Sequence, residues 1–488
     1  MPSRSFTLDE SGVEEVRPRL ERLRADLEIP RTFPSDALAE AEEAAHRPPS
    51  DGIDATDVEL VTIDPAGSRD LDQAVHLSRD GAGFLVQYAI ADPASFIEPD
   101  GPLDRAVHER GVTCYGPDGR IGLHPDVLAE GAASLLADQV RPACLWRIRL
   151  DADGEIVTTE VVRAQVRSRA QLTYDQVQAA LDGTPDDAVP AWLTLLREVG
   201  TLRQQREADR GGASLRIPEQ EIVEIDGRYE LRHRATLDVE DWNAQISLTT
   251  GIAAAALMRR SRVGVLRTLP TADPRDVARL RRAAHGLGIE WRHDEPYGQL
   301  LRRLDASIPT HAAFLDEATT LFRGAGYLTF DGELPPSSPH GAIGAEYAHV
   351  TAPLRRLVDR YGLEICLAAT AGAHVPAWVR DGLKALPATM ASTTQRAAGY
   401  ERECVNLLES LLLRHRVGER FTGVVVDVAE PRDGAGGEGT NATKGTVVVA
   451  EPAVRATVRG ENLPLGEATQ VTLAESDPDT RRVAFTLP

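Results

Sequence analysis

Short runs with apolar residues at alternate positions and longer stretches with apolar residues at helical spacing alternate in blocks along the chain. The alternating runs predict strands at 58–63, 84–90, 145–150 and 156–166. Helical spacing predicts helices at 174–181, 191–206, 242–260, 274–287 and 352–370. Ahead of these, Ser11 is placed to cap a helix ending near Ile29-Pro30, and Ser35, after Pro34, to cap one over 36–45 that Pro48-Pro49 closes. A long helix is expected at 392–416, capped by Ser392 or Thr393, stopped by Gly418 and apolar along Leu407, Leu408, Leu411 and Leu412. Beyond it, five short β-rich runs at 424–428, 446–449, 454–458, 470–473 and 483–487 suggest a small all-β barrel. The glycine-rich stretch 433–439 lies between two of them with no helix following, so it reads as a hairpin tip rather than a phosphate cradle. The expected architecture is α+β, with a short helical N-terminal arm (1–55), a mixed sheet-and-helix body (56–415) and the barrel (418–488).

Composition narrows the class. With 488 residues, 42% of them hydrophobic, the chain can bury a large core in two or three domains. No apolar run of membrane-spanning length occurs and the N-terminus lacks an apolar signal core, so a cytoplasmic protein without membrane contact is expected. Cys114, Cys144, Cys366 and Cys404 are far apart in apolar surroundings, which fits reduced core thiols. A net charge of -21 argues against a protein coating nucleic acid over its whole surface but leaves room for an internal basic path. Lys384 and Lys444 are the only lysines among 54 basic residues, an arginine bias that suits phosphate recognition but reads first as codon usage. Residues 258–305 concentrate arginines, as either a phosphate-facing surface or solvated helix faces.

The sharpest chemistry is the trio Asp64, Asp70 and Asp72 where a strand empties into a Pro/Gly/Ser turn. Crowded carboxylates call for a cation, and hard oxygen ligands suit Mg²⁺ or Mn²⁺. An Asp-x-Asp pair alone is more often a turn cap than a catalytic site.

Asp64-Pro-Ala-Gly-Ser-Arg-Asp70-Leu-Asp72-Gln73 resembles the hallmark of the ribonuclease II and ribonuclease R family of exoribonucleases. The likeness continues through Ile90-Ala-Asp92-Pro93, Arg110-Gly111, Tyr115, Val140-Arg141-Pro142, Tyr174 and Thr351-Ala-Pro353-Leu-Arg355-Arg356, over roughly residues 56–415. The resemblance implies an RNB-type catalytic domain enclosing an RNA channel, followed by an OB-type barrel like that of ribosomal protein S-one. It implies metal ligation by Asp64, Asp70, Asp72 and Gln73, with Asp72, Asp70 and Arg355 as the catalytic residues. RNA contacts are implied for Tyr115, Tyr174, Asn243, Arg356 and Glu401. The implied activity is metal-dependent hydrolysis of single-stranded RNA from the 3′ end to nucleoside 5′-monophosphates. No protein partner is inferable.

Two departures keep alternatives open. Gln73 stands where the family commonly has a second adjacent aspartate, which leaves one negative charge fewer for a cation. Ser214-Leu215-Arg216 occupies the region of the aromatic that partners Tyr115, and the barrel is acidic with only Phe421 and Phe485 as aromatics, both unfavourable for base stacking. The family's two N-terminal cold-shock domains also have no counterpart in the short arm. An RNA-binding descendant with weakened or lost catalysis, or a metal phosphodiesterase acting on a different substrate, are the competing readings.

Overall fold

The computed structural model describes residues 10–47, 52–213, 219–225, 228–234, 236–305, 308–428, 443–449 and 454–487. Helices α1 (Glu10–Asp26) and α2 (Ser35–Ala45) lead into strands β1 (Ile53–Asp54) and β2 (Leu60–Asp64) and the hairpin β3 (Gln73–Asp80) and β4 (Gly83–Ala91). Helix α3 (Pro102–Arg110) precedes a small hairpin, β5 (Cys114–Gly116) and β6 (Gly119–Ile121), and the long pair β7 (Val140–Leu150) and β8 (Ile156–Thr173). Then come α4 (Tyr174–Leu181), α5 (Thr194–Asp209), the hairpin β9 (Glu219–Ile225) and β10 (Arg228–Arg234), α6 (Asp238–Ser261) and β11 (Val263–Thr268). Helices α7 (Pro274–Gly286), α8 (Tyr297–Arg303) and α9 (Pro309–Ala318), strand β12 (Gly326–Asp331), and helices α10 (Leu357–Ala371), α11 (Ala377–Gly382) and α12 (Leu386–Leu413) complete the body. The C-terminal strands are β13 (Arg420–Val428), β14 (Thr443–Val449), β15 (Val454–Gly460), β16 (Ala468–Asp477) and β17 (Arg482–Thr486).

The body is the α+β unit expected. Its sheet runs β1-β8-β2-β3-β4-β7, and β8 also pairs with β7. β8 is antiparallel to β7 through its first part and parallel to β2 through its last, so the sheet curls back on itself. Trp146, Ile148, Phe84, Val86 and Tyr88 fill the inside, and α6 and α10 bury Ala254, Met258, Leu357 and Ile365 in the same core. The N-terminal helices are built into the molecule rather than hanging from it. Val16, Leu20 and Leu23 of α1 share a core with Tyr400 and Cys404 of α12, and Ala37, Ala41 and Ala44 of α2 join the main core. Arg24 fastens α1 by donating to the Tyr400 hydroxyl at 2.9 Å and pairing with Asp118.

Several boundaries differ from the sequence reading. α2 begins after Pro34 with no side-chain cap, so Ser35 is not the cap. α12 starts six residues before Ser392, and Ser392 and Thr393 turn their hydroxyls onto the Thr389 carbonyl inside the helix. α10 starts at Leu357 rather than 352, because the preceding residues spend their backbone groups on other parts of the site. The glycine-rich stretch 433–439 and Ser214-Leu215-Arg216 lie outside the described residues.

Gly111 ends α3 with φ +67°, and a Cβ there would sit 2.2 Å from Thr393 Oγ1. Its carbonyl accepts the Leu357 N–H at 2.9 Å, which ties α3 to the start of α10. Gly111→Ala is expected to cost about 1–2 kcal/mol in left-handed strain plus about 1–3 in overpacking, read as a lower urea midpoint. An unchanged midpoint would contradict this packing.

The C-terminal strands close into the barrel predicted, in the order β13-β14-β15-β17-β16. Val425, Val447, Val449 and Phe485 point inward, while Val424, Val426 and Val448 pack outward against the core of α7, α8 and α9. Glu317 on α9 pairs with Arg279 of α7 at 3.3 Å and Arg455 of β15 at 2.5 Å. The arginines of 258–305 are largely structural, which neither sequence alternative anticipated. Arg259 pairs with Glu346 and Arg303 with Glu295, while Arg281 and Arg302 donate to backbone carbonyls. Among the described residues no helix is long and apolar enough to cross a membrane.

Candidate active site

Asp64 ends β2, and the parallel register with β8 sets it opposite Thr173. Thr173 and Gln176 form a reciprocal capping box at the start of α4, so Tyr174 begins that helix beside Asp64. Asn243 Nδ2 donates to the Tyr174 hydroxyl at 3.4 Å, which brings the start of α6 to the same place. The acidic loop turns at Gly67, with φ +83°, and is plugged by buried Leu71. The Leu71 N–H donates to Ser134 Oγ at 3.0 Å and its carbonyl accepts from the Leu135 N–H at 3.1 Å, fixing Asp70 and Asp72 on either side.

Asp72 is buried, and its Oδ1 accepts the Leu354 N–H at 2.8 Å. Its Oδ2 lies 3.5 Å from Arg355 Nε, while the Arg355 side chain is still 43% exposed. A sequence separation of 282 residues between Asp72 and Leu354 thus closes into a buried acid facing a partly exposed cation. The segment 351–356 is held along its whole length. Thr351 O accepts from Gln73 Nε2 at 2.5 Å, the Ala352 N–H donates to Asp359 at 2.7 Å, and Pro353 O accepts from His124 Nε2 at 3.1 Å. Arg355 O accepts the Thr113 N–H at 3.1 Å. Burial pushes His124 down to about 4, so it is neutral and keeps the proton it donates.

Three of the expected site residues are engaged by protein partners. Arg356 makes two 2.8 Å bonds to the two oxygens of Asp359, so its guanidinium braces the start of α10. Gln73 turns its carbonyl oxygen to the Tyr88 hydroxyl, with Ser247 Oγ at 3.4 Å, so that oxygen is engaged within the fold. Asp70 is paired with Arg120, which also holds Glu130. Among the described residues, no group of three or more acidic, histidine or cysteine side chains is gathered at ion-holding distance.

Arg120 went unnoticed in the sequence, although Pro-Asp-Gly at 117–119 signals the hairpin that presents it. It lies opposite Tyr115 in the β5 and β6 register, so the Asp70 pair docks that hairpin at the site. Burial raises the Tyr115 phenol to about 12, against the charge of nearby Arg355. Glu401 on α12 lies near Cys114 of β5, since its charge bears on that thiol. Tyr88 and Ser247 had no local signal, because their role exists only across the folded core.

Asp64 and Asp72 still fit a divalent cation. Asp64 Oδ2 is buried with no hydrogen-bond partner among the described residues. Burial pushes both carboxyls up to about 7, with Asp70 adding to the effect and Arg355 opposing it. Mg²⁺ characteristically takes one or two carboxylates and keeps waters and substrate phosphate for its other positions, which this pair can supply.

A pH signature follows. Both groups have folded values above the unfolded 3.8, so the metal-free fold binds extra protons between there and about 7 and loses stability as pH rises through that window. Bound cation should abolish the loss, and its affinity should rise with pH through about 7. His108 shifts in the same sense, while His124 and His340 shift oppositely, so the comparison needed is with Asp64→Asn combined with Asp72→Asn. Wild type should lose more stability than that variant between about pH 5.5 and about pH 8 in urea titrations. Parallel losses would refute the assignment.

Comparison with known proteins bears on this arrangement. The RNB domain family matches residues 53–367, and the RNase II-type exonuclease C-terminal S1 domain matches residues 419–487. Exoribonuclease 2 of Serratia proteamaculans is 27% identical over 466 residues, covering 88% of this chain and 70% of the relative. Exoribonuclease 2 of Photorhabdus laumondii is 28% identical over 327 residues, and that match spans only 49% of the relative. RNase R of Mycoplasma genitalium, solved with ribose-methylated single-stranded RNA, superposes with a TM-score of 0.81 at 19% identity, covering 96% of this chain and 78% of that one. Yeast Ssd1, described as a pseudonuclease, superposes at 0.65 with 14% identity, covering 93% of this chain and 53% of that one. The fold is therefore shared by active and inactive proteins.

Proposed function

This chain belongs to the RNB-domain exoribonuclease family, and from that premise we propose that it hydrolyses single-stranded RNA from the 3′ end in a divalent-metal-dependent reaction that releases nucleoside 5′-monophosphates. The observation that carries the reading is Asp72, gripped by the Leu354 N–H and facing a half-exposed Arg355. A buried carboxylate and a solvent-facing guanidinium at one point give a phosphodiester both an anionic anchor for a cation and a donor for its developing charge. Mg²⁺ or Mn²⁺, held by Asp64 and Asp72, would supply Lewis-acid stabilisation and an activated water. Arg355 has its Nε on Asp72 and presents the rest of its fork outward, which suits phosphoryl oxygens. Tyr115 and Tyr174 flank the carboxylates and offer ring faces to terminal bases. Asn243 steadies the Tyr174 hydroxyl.

The experiment is incubation of 5′-labelled single-stranded RNA with the protein and Mg²⁺ or Mn²⁺, resolving the ladder and the released nucleotides. Progressive shortening of the labelled strand with 5′-monophosphates supports the reading. RNA that stays bound but intact with either metal would leave the binding descendant, which the engagement of Gln73 and Asp70 by protein partners favours. Cleavage confined to DNA or a small phosphodiester would point to another substrate class.

A further inference from the structure

We infer that Gln73 is a positioning residue whose carboxamide latches the 351–356 loop to β3 and sets Arg355 over the Asp64 and Asp72 pair, and that it is not a cation ligand. A carboxamide carries two acceptor sites on oxygen and two donors on nitrogen. Here the oxygen takes the Tyr88 hydroxyl and faces Ser247 Oγ, and the nitrogen gives to the Thr351 carbonyl at 2.5 Å. Tyr88 belongs to β4 and Ser247 to α6, so one side chain joins two strands, a helix and the loop.

The grip has a second point. Asp72, the preceding residue, takes the Leu354 N–H, so adjacent residues hold the loop at Thr351 and Leu354, immediately before Arg355. Loop and carboxylate pair are therefore registered to each other through the chain at 72–73. The polarity of the first point matters more than its size. A carboxylate at position 73 would have no proton to give and would set an anionic oxygen against the Thr351 carbonyl, leaving that buried acceptor unpaired. The acidic side chain that would add a ligand charge here would thus release the loop that carries the cationic group.

The catalytic arm of the test rests on the hydrolytic reading above; the other arms do not. Gln73→Glu, Gln73→Asp and the milder Tyr88→Phe are compared with wild type in three measurements. Amide hydrogen exchange over 351–356 should quicken in all three variants, since a loop no longer latched at Thr351 leaves the Ala352 and Leu354 amides freer to part from Asp359 and Asp72. Mn²⁺ titration should show no tightening in either acidic variant. On single-stranded RNA, kcat should fall by about tenfold or more with KM little changed in Gln73→Glu, as expected for a misplaced group rather than lost binding. Tyr88→Phe should move kcat in the same direction by a smaller factor. Unchanged exchange over 351–356, Mn²⁺ binding about tenfold tighter in Gln73→Glu or Gln73→Asp, or a raised kcat would each overturn the assignment. If wild type proves unable to cleave RNA, the function fails separately, and exchange with Mn²⁺ titration still decides the role of Gln73.

Discussion

Asp72→Asn is expected to cut RNA hydrolysis by on the order of 10²–10³-fold while the protein stays folded and still binds RNA. The amide oxygen can go on accepting the Leu354 N–H, so the loop is not released. What disappears is the negative charge that faces Arg355 and would share a cation with Asp64. Stability should move the other way. Burial holds the Asp72 carboxyl up at about 7, so at alkaline pH its ionised form is costly and a neutral amide relieves the strain. A variant that is inactive yet at least as resistant to urea as metal-free wild type at about pH 8 would carry both signatures. Activity within a few-fold of wild type would remove Asp72 from the reaction.

Asp359→Ala carries the largest expected loss of stability, about 3–5 kcal/mol. Asp359 is fully buried, takes both Arg356 bonds, and accepts the Ala352 N–H at 2.7 Å. Removing it strands a largely buried guanidinium and a buried backbone donor. Because the same carboxylate sets the turn before Arg355, surviving protein should also lose kcat. Combining Asp359→Leu with Arg356→Met should cost less than Asp359→Ala alone, since no charge is then left behind. A single-variant loss under about 1 kcal/mol would mean the pair behaves as a surface salt bridge.

Legibility in the sequence followed the range of the interactions. The barrel strands alternate inward and outward every second residue, and that local period predicted all five. Strand β3 was missed, because Gln-Ala-Val-His-Leu-Ser-Arg-Asp mixes polar residues into a strand whose faces both meet neighbours. The first turn expected of α10 failed for a similar reason. Residues 351–356 look compatible with a helix, but their backbone groups bond to Gln73, Asp72, His124 and Thr113, far away in the chain. Asp64 and Asp72 were visible as a local cluster, whereas their relation to Arg355 came from family likeness rather than spacing. The twin arginines show the limit of such likeness. Side by side in sequence, Arg355 reaches the acidic loop and Arg356 is consumed by Asp359, a division set by the turn between them. Arg120, Tyr88 and Ser247 became apparent only with the fold.

The outward faces of Val424, Val426 and Val448 bear on cooperativity. These residues put the outer wall of the barrel into the same apolar core as Leu280, Phe314 and Leu315 of the neighbouring helices. A barrel that lends both of its surfaces to packing is not an independent folding module. Its excision would expose the helical layer as much as it shortened the chain, so barrel and layer are expected to open and close as one unit.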